Sequence, residues 1–109
     1  MVLAQERVGD FVVLRVDEHR VDGVNSTTLH EQVSNLVGAG DRKFVLDLSL
    51  VDFMDSSALA GLLPAIHELP DEGCLLLAGL HPRVKEIFRL TKLDTIFDIY
   101  PSVDEALLS

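Results

Sequence analysis

Two adjacent serines stand behind an aspartate in the stretch Val45-Leu46-Asp47-Leu48-Ser49-Leu50-Val51-Asp52-Phe53-Met54-Asp55-Ser56-Ser57-Ala58-Leu59. Carboxylates and hydroxyls this close admit acid–base catalysis, nucleophilic catalysis or acceptance of a phosphate. Asp52 reads as a solvated turn residue and Asp55 as a helix cap tied to backbone N–H groups, a poor arrangement for moving protons. Ser56 has no histidine base nearby in sequence, and Asp-Ser-Ser-Ala-Leu-Ala-Gly does not match the Gly-x-Ser-x-Gly elbow of serine hydrolases. An unactivated serine at a helix start commonly serves only as a cap, and a phosphate is the other group such a position can carry. The apolar run over residues 44–48 predicts a short buried strand, and Leu59, Leu62, Leu63 and Ile66 fall at i, i+3, i+4 and i+7, one face of a helix. Ser56 and Ser57 therefore sit in the first helical turn. There, unpaired backbone N–H groups and the positive end of the helix dipole accommodate an anion.

No other segment offers comparable chemistry. His19, His30, His67 and His81 form no close pair, and His30-Glu31 lacks the second histidine one turn later that a zinc-protease helix requires. Gly38-Ala39-Gly40-Asp41-Arg42-Lys43 ends a helix rather than opening one and lacks phosphate-loop spacing. Asp47 at a strand end, with Asp17-Glu18 earlier, has the look of a phosphoacceptor receiver. A receiver places two strand–helix units between those sites where this chain has one helix, and Leu80-His81-Pro82 supplies no hydroxyl or lysine. The expectation is a protein that is not an enzyme, with no catalytic residue, no metal ligand and no cofactor.

The totals agree. The chain has 109 residues, 48% of them hydrophobic, which suits one domain over residues 1–109 with an ordinary core. Nine Lys and Arg against eighteen Asp and Glu give a net charge of −9, which repels nucleic acid and anionic lipid and favours protein partners. Cys74, in the apolar run Cys74-Leu75-Leu76-Leu77-Ala78, has no second cysteine to pair with and reads as a buried thiol. The first residues do not pattern as a signal peptide and no stretch approaches the ~18 apolar residues of a membrane span, so the cytoplasm is expected.

The elements that must position the serines follow from periodicity and punctuation. Apolar segments 2–8 and 11–16 flank Gly9-Asp10, a hairpin turn, and residues 17–22 form a polar link. Asn25 or Ser26 caps a helix with the stripe Leu29, Val33, Leu36 and Val37, stopped by Gly38-Ala39-Gly40. Strand 43–48 leads to the helix over 56–69, where Pro64 should introduce a bend. After the turn Pro70-Asp71-Glu72-Gly73 come a third buried strand over 74–79 and a helix opened by Pro82 with core face Val84, Ile87 and Phe88. An edge strand over 96–100 follows, then a short helix with a capping box from Ser102 to Glu105. The pattern predicts an α/β domain: a mixed β-sheet opening with a hairpin, with helices packed on one face.

These residues resemble the STAS domain family, and within it the stand-alone anti-sigma-factor antagonists. The resemblance rests on Val45-Leu46-Asp47-Leu48-Ser49, Phe53-Met54-Asp55-Ser56-Ser57-x-Leu59, Pro82-x-Val84-Lys85-x-x-Phe88-x-Leu90-Thr91-x-Leu93 and Ser102-Val103-Asp104-Glu105-Ala106-Leu107, and it spans the chain. It implies a switch. The unphosphorylated protein binds an anti-sigma factor that is itself a serine kinase; phosphorylation of the first serine after the aspartate, Ser56, blocks binding, and a serine phosphatase restores it. It further implies a partner surface drawn from Asp22, Asp55, Ser57, Ala58 and Leu59. The alternative within the family is a non-phosphorylated scaffold in a signalling or lipid-transport assembly, where the serines only cap the helix. The chain departs from the family in two places. Ala58-Leu59-Ala60 replaces the frequent Gly-Leu-Gly, and the loop before the first helix keeps Val21-Asp22 without the preceding glycine.

Overall fold

Gly9 and Asp10 reverse the chain as expected, with Gly9 at φ +58°, a conformation glycine adopts without a Cβ penalty. The computed structural model describes residues 3–109, so Val2, assigned to the first strand from the sequence, lies outside the described residues. In chain order the elements are β1 (Leu3–Val8), β2 (Phe11–Val16), β3 (Arg20–Val21), α1 (Ser26–Gly38), β4 (Lys43–Asp47), β5 (Phe53–Met54), α2 (Ser56–His67), β6 (Cys74–Ala78), α3 (Pro82–Leu90), β7 (Asp98–Tyr100) and α4 (Val103–Leu107), with a 3₁₀ turn over Leu93–Thr95. The main sheet runs β1-β2-β4-β6-β7. The β1–β2 pair is antiparallel, in register from Leu3↔Val16 to Val8↔Phe11, and the remaining pairs are parallel, so the sheet is mixed.

Alternation along the central strands divides the core. Val12, Leu14, Val16, Phe44, Leu46, Leu75 and Leu77 point to one face, where they meet Leu29 and Val33 of α1, Leu59 and Leu62 of α2, and Val84 and Phe88 of α3. The three longer helices thus share one face. Val13, Val45, Leu76 and Ala78 point to the other face and are covered by Ala106 of α4, with Val103 and Leu107 packed alongside. The closing helix therefore crosses to the far side. Strands apolar on both faces demand two covers, and the unbroken apolar runs in β4 and β6 carry that requirement.

Element ends differ from the periodicity reading by small, explicable amounts. The last strand begins at Asp98 rather than at residue 96, because Leu93–Thr95 tightens into a 3₁₀ turn and Phe97 drops into the core edge-on to Phe88, centroids 5.9 Å apart. Helix α2 stops at His67 and continues through Pro64 without interruption. The carbonyl that loses its donor belongs to Ala60, an exposed residue.

Helices α1 and α2 approach closely where Ser26 meets Gly61: a methyl group on Gly61 would overlap Ser26 Oγ. Farther along the pair, His30 Nε2 lies 2.7 Å from Glu68 Oε1. Hydrogen bonds from Ser34 and then His30 hold the Glu68 carboxyl below its usual range. These contacts fix α2 against α1, and so fix where the first turn of α2 points.

Candidate functional site

Two short strands missed by the sequence reading build the site. Residues 20–21, read as part of a polar link, and residues 53–54 pair in parallel as a separate two-stranded sheet with register Arg20↔Phe53 and Val21↔Met54. The His19 carbonyl accepts from Asp52 N at 2.9 Å and Phe53 N at 3.2 Å, and Asp55 N donates to Val21 O at 3.4 Å. Val21 and Met54 are buried beneath, while the Arg20 guanidinium lies 4.2 Å above the Phe53 ring. Two residues per strand are too few to show a period-2 signal, so periodicity could not find them. Because β3 and β5 run side by side and each feeds a helix, the first turns of α1 and α2 emerge together.

Asp55 caps α2 as predicted. It holds extended backbone (φ −92°, ψ 175°), and its Oδ1 accepts from Ala58 N at 2.8 Å. Replacing it with alanine removes that acceptor, and urea denaturation of Asp55→Ala should show a loss of about 0.5–2 kcal/mol.

The start of α1 corrects the sequence expectation. Asn25 occupies the cap position in helical geometry with no capping bond, and Ser26 is buried, its hydroxyl donating to Gly23 O at 3.2 Å. Asn25 instead faces backward: its Oδ1 accepts from Asp22 N at 2.8 Å and its Nδ2 donates to Arg20 O at 3.0 Å. Asp22 performs the turn, its Oδ1 accepting from Val24 N and Asn25 N, both at 2.9 Å. This half-buried carboxylate is a loop-former as well as a surface group.

Gly23 makes the contact that joins the two helix starts. A Cβ on Gly23 would lie 2.7 Å from Ser57 Cβ, so the loop rests directly on the second serine. Only the close approach of a distant loop explains the need for glycine here, and no local sequence signal reports it. Gly23→Ala must push the loop off Ser57, and thermal or urea unfolding should show about 1–3 kcal/mol of destabilisation.

Ser56 and Ser57 are both exposed. Among the described residues the Ser56 hydroxyl makes no hydrogen bond, whereas the Cβ of Ser57 is packed against the loop. The structure corrects two assignments to the partner surface: Ala58 is 0% exposed and Leu59 3%, both in the core. The reason is the helical period, which turns Ala58, Leu59, Leu62 and Ala65 toward the sheet together. What the same end does expose was not anticipated: Val24 at 85%, and Leu50 and Phe53 at 39% each. Among the described residues no cluster of three or more His, Cys, Asp and Glu could hold a metal ion, and no helix is long and apolar enough to cross a membrane.

Comparison with known proteins agrees with this architecture. The STAS domain family matches residues 2–106. BtrV of Bordetella bronchiseptica, which carries the name of an anti-sigma factor antagonist, is 31% identical over 87 residues, 79% of this chain and 75% of that protein. An anti-sigma factor antagonist from Mycobacterium paratuberculosis superposes with a TM-score of 0.87 at 27% identity, covering 98% of this chain and 91% of that one. SpoIIAA in its unphosphorylated form shares the fold, with a TM-score of 0.80 at 22% identity over 97% and 93% of the two chains. Its phosphorylated form, from Bacillus, superposes with a TM-score of 0.72 at 21% identity over 97% and 96%.

The chain, with its five-stranded mixed sheet and aspartate-capped second helix, belongs to the STAS domain family. Within it, the chain groups with proteins that carry the name of anti-sigma factor antagonists.

Proposed function

We propose that this protein is a phosphorylation-gated partner switch of the cytoplasm. Unphosphorylated, it binds an anti-sigma factor that has serine kinase activity; that kinase transfers phosphate to Ser56, the complex dissociates, and a serine phosphatase resets the protein. The observation that carries the reading is the exposed Ser56 hydroxyl, without a hydrogen bond among the described residues, in the first turn of an aspartate-capped helix. A fold-mate, SpoIIAA, exists in both phosphorylated and unphosphorylated forms.

The physics supports the gating. A phosphoserine adds roughly −1.5 to −2 charges and three strong acceptor oxygens. The helix N-terminus tolerates that charge, while a partner face pressed against Ser56 must strip its water and meet it beside Asp55. Binding changes without any change of fold. Ser57, whose Cβ supports the Gly23 loop, has a structural duty that Ser56 does not.

Phosphosite mapping by mass spectrometry, after incubation with the purified kinase-type anti-sigma factor and ATP, tests the assignment. One phosphate on Ser56 is expected; equal incorporation into Ser56→Ala overturns it.

A further inference from the structure

Seven large apolar side chains among the described residues keep more than a third of their surface exposed, and three of them, Val24, Leu50 and Phe53, lie on the segments that lead into α1 and α2. Of these, Val24 has the least to do with the fold. Phe53 is covered on one side by Arg20, and Leu50 and Phe53 are each more than half buried, whereas Val24 is 85% exposed. Leaving a branched aliphatic side chain in water gains nothing for the folded chain, although single exposures of this kind are ordinary on protein surfaces.

This loop is not free to move. The Asp22 carboxylate ties down the N–H of Val24 itself and of Asn25, Asn25 ties back to Asp22 and Arg20, and the hydroxyls of Ser26 and Thr27 both donate to the Gly23 carbonyl. Gly23 is seated on Ser57, the residue after the phosphoacceptor. The side chain at position 24 is therefore presented at a fixed place relative to Ser56, on a rigid support with little ordering entropy left to lose on binding. Rigid apolar groups near the centre of an interface are where binding energy concentrates.

We propose that Val24 is the apolar anchor of the Ser56 interface and the residue that sets partner fit. The inference rests on the switch described under Proposed function and adds to it a specificity-determining residue outside the serine motif. Its occupant is a recess on the kinase-type anti-sigma factor, on a face of positive charge. Asp22, Asp52 and Asp55 belong to the same paired segments, Arg20 beside them is stacked on Phe53, and the chain as a whole carries −9.

The test uses the full chain and the purified kinase-type anti-sigma factor, with affinity measured by calorimetry. Val24→Ala withdraws two methyl groups from a desolvated contact and should bind about tenfold more weakly; Val24→Asp should bind at least about a hundredfold more weakly. The melting temperature of Val24→Ala should nearly equal that of the unaltered protein, because the residue is 85% exposed and contributes little burial to the fold. As a kinase substrate, Val24→Ala should show a raised KM with kcat unchanged, the signature of lost docking rather than lost chemistry. Should Val24→Ala bind as tightly as the unaltered protein while Ser56 phosphorylation still releases the partner, the anchor is wrong and the switch stands. Should the unaltered protein itself fail to bind, the switch and the anchor fall together.

Discussion

Ser56→Asp should bind the kinase-type anti-sigma factor about a hundredfold more weakly than the unaltered protein, and Ser56→Ala should bind about as well but accept no phosphate. The first follows from placing a carboxylate where a partner must desolvate it, at about 3 kcal/mol near an interface centre. The second follows because the hydroxyl makes no hydrogen bond among the described residues and its loss leaves nothing buried unsatisfied. Calorimetric affinities for the three proteins, with their melting curves alongside, check both statements. The curves should nearly coincide, since position 56 is exposed and the cap belongs to Asp55. A Ser56→Asp protein of unaltered affinity would mean that the partner does not contact this turn.

Leu59→Ala should act in the opposite way, destabilising the fold by about 2–5 kcal/mol while leaving the affinity of the folded protein unchanged. Leu59 is 3% exposed and belongs to the cluster that holds α2 on the sheet with Leu62 and Ala65. Truncating it removes buried apolar surface and leaves a cavity that neighbours fill only partly. Urea denaturation gives the stability loss, and titration under conditions where the variant is folded gives the affinity. Reduced affinity with unchanged stability would restore Leu59 to the partner surface. The contrast with Ser56 is instructive because residues three apart lie on nearly the same side of a helix, yet Ser56 at the helix start is exposed and Leu59, one turn in, is buried.

The legibility of this molecule follows the range of each interaction. The hairpin, the buried strands β4 and β6 and the four helices were readable because their periods repeat or their ends carry local punctuation: Gly9, Pro82, Asp55 and Ser102 all sit where backbone chemistry calls for them. The α2 cap and the exposed serine were readable for the same reason. The pairing of β3 with β5 was not, since it joins residues more than thirty apart through two positions each. The α1 start misled because Asn25 and Ser26 are good capping types, and only the fold reveals that one serves Asp22 and the other is buried against Gly61. Ala58 and Leu59 were assigned outward on resemblance, although the helical stripe that includes Leu59 and Leu62 already pointed inward. Val24 and Gly23 carried no signal in a one-dimensional reading, because their significance comes from what lies across from them.

The substitution of Ala58 and Ala60 for glycines frequent in the family now has two separate meanings. Ala58 is buried, so its methyl group fills core space and cannot meet a partner. Ala60 is exposed and adds its methyl group to the surface of α2 one turn past the serines. Both favour the helix by roughly 1 kcal/mol over glycine, which stiffens the platform beneath Ser56.

The most direct measurement takes one sample of the protein and titrates it with the anti-sigma factor before and after stoichiometric phosphorylation, following backbone amide NMR shifts in both states. Affinity should fall about a hundredfold, large shift changes should stay within the starts of α1 and α2, and phosphatase treatment should restore binding. Equal affinity in the two states, or a loss of binding accompanied by shift changes throughout the sheet, would contradict the proposed switch.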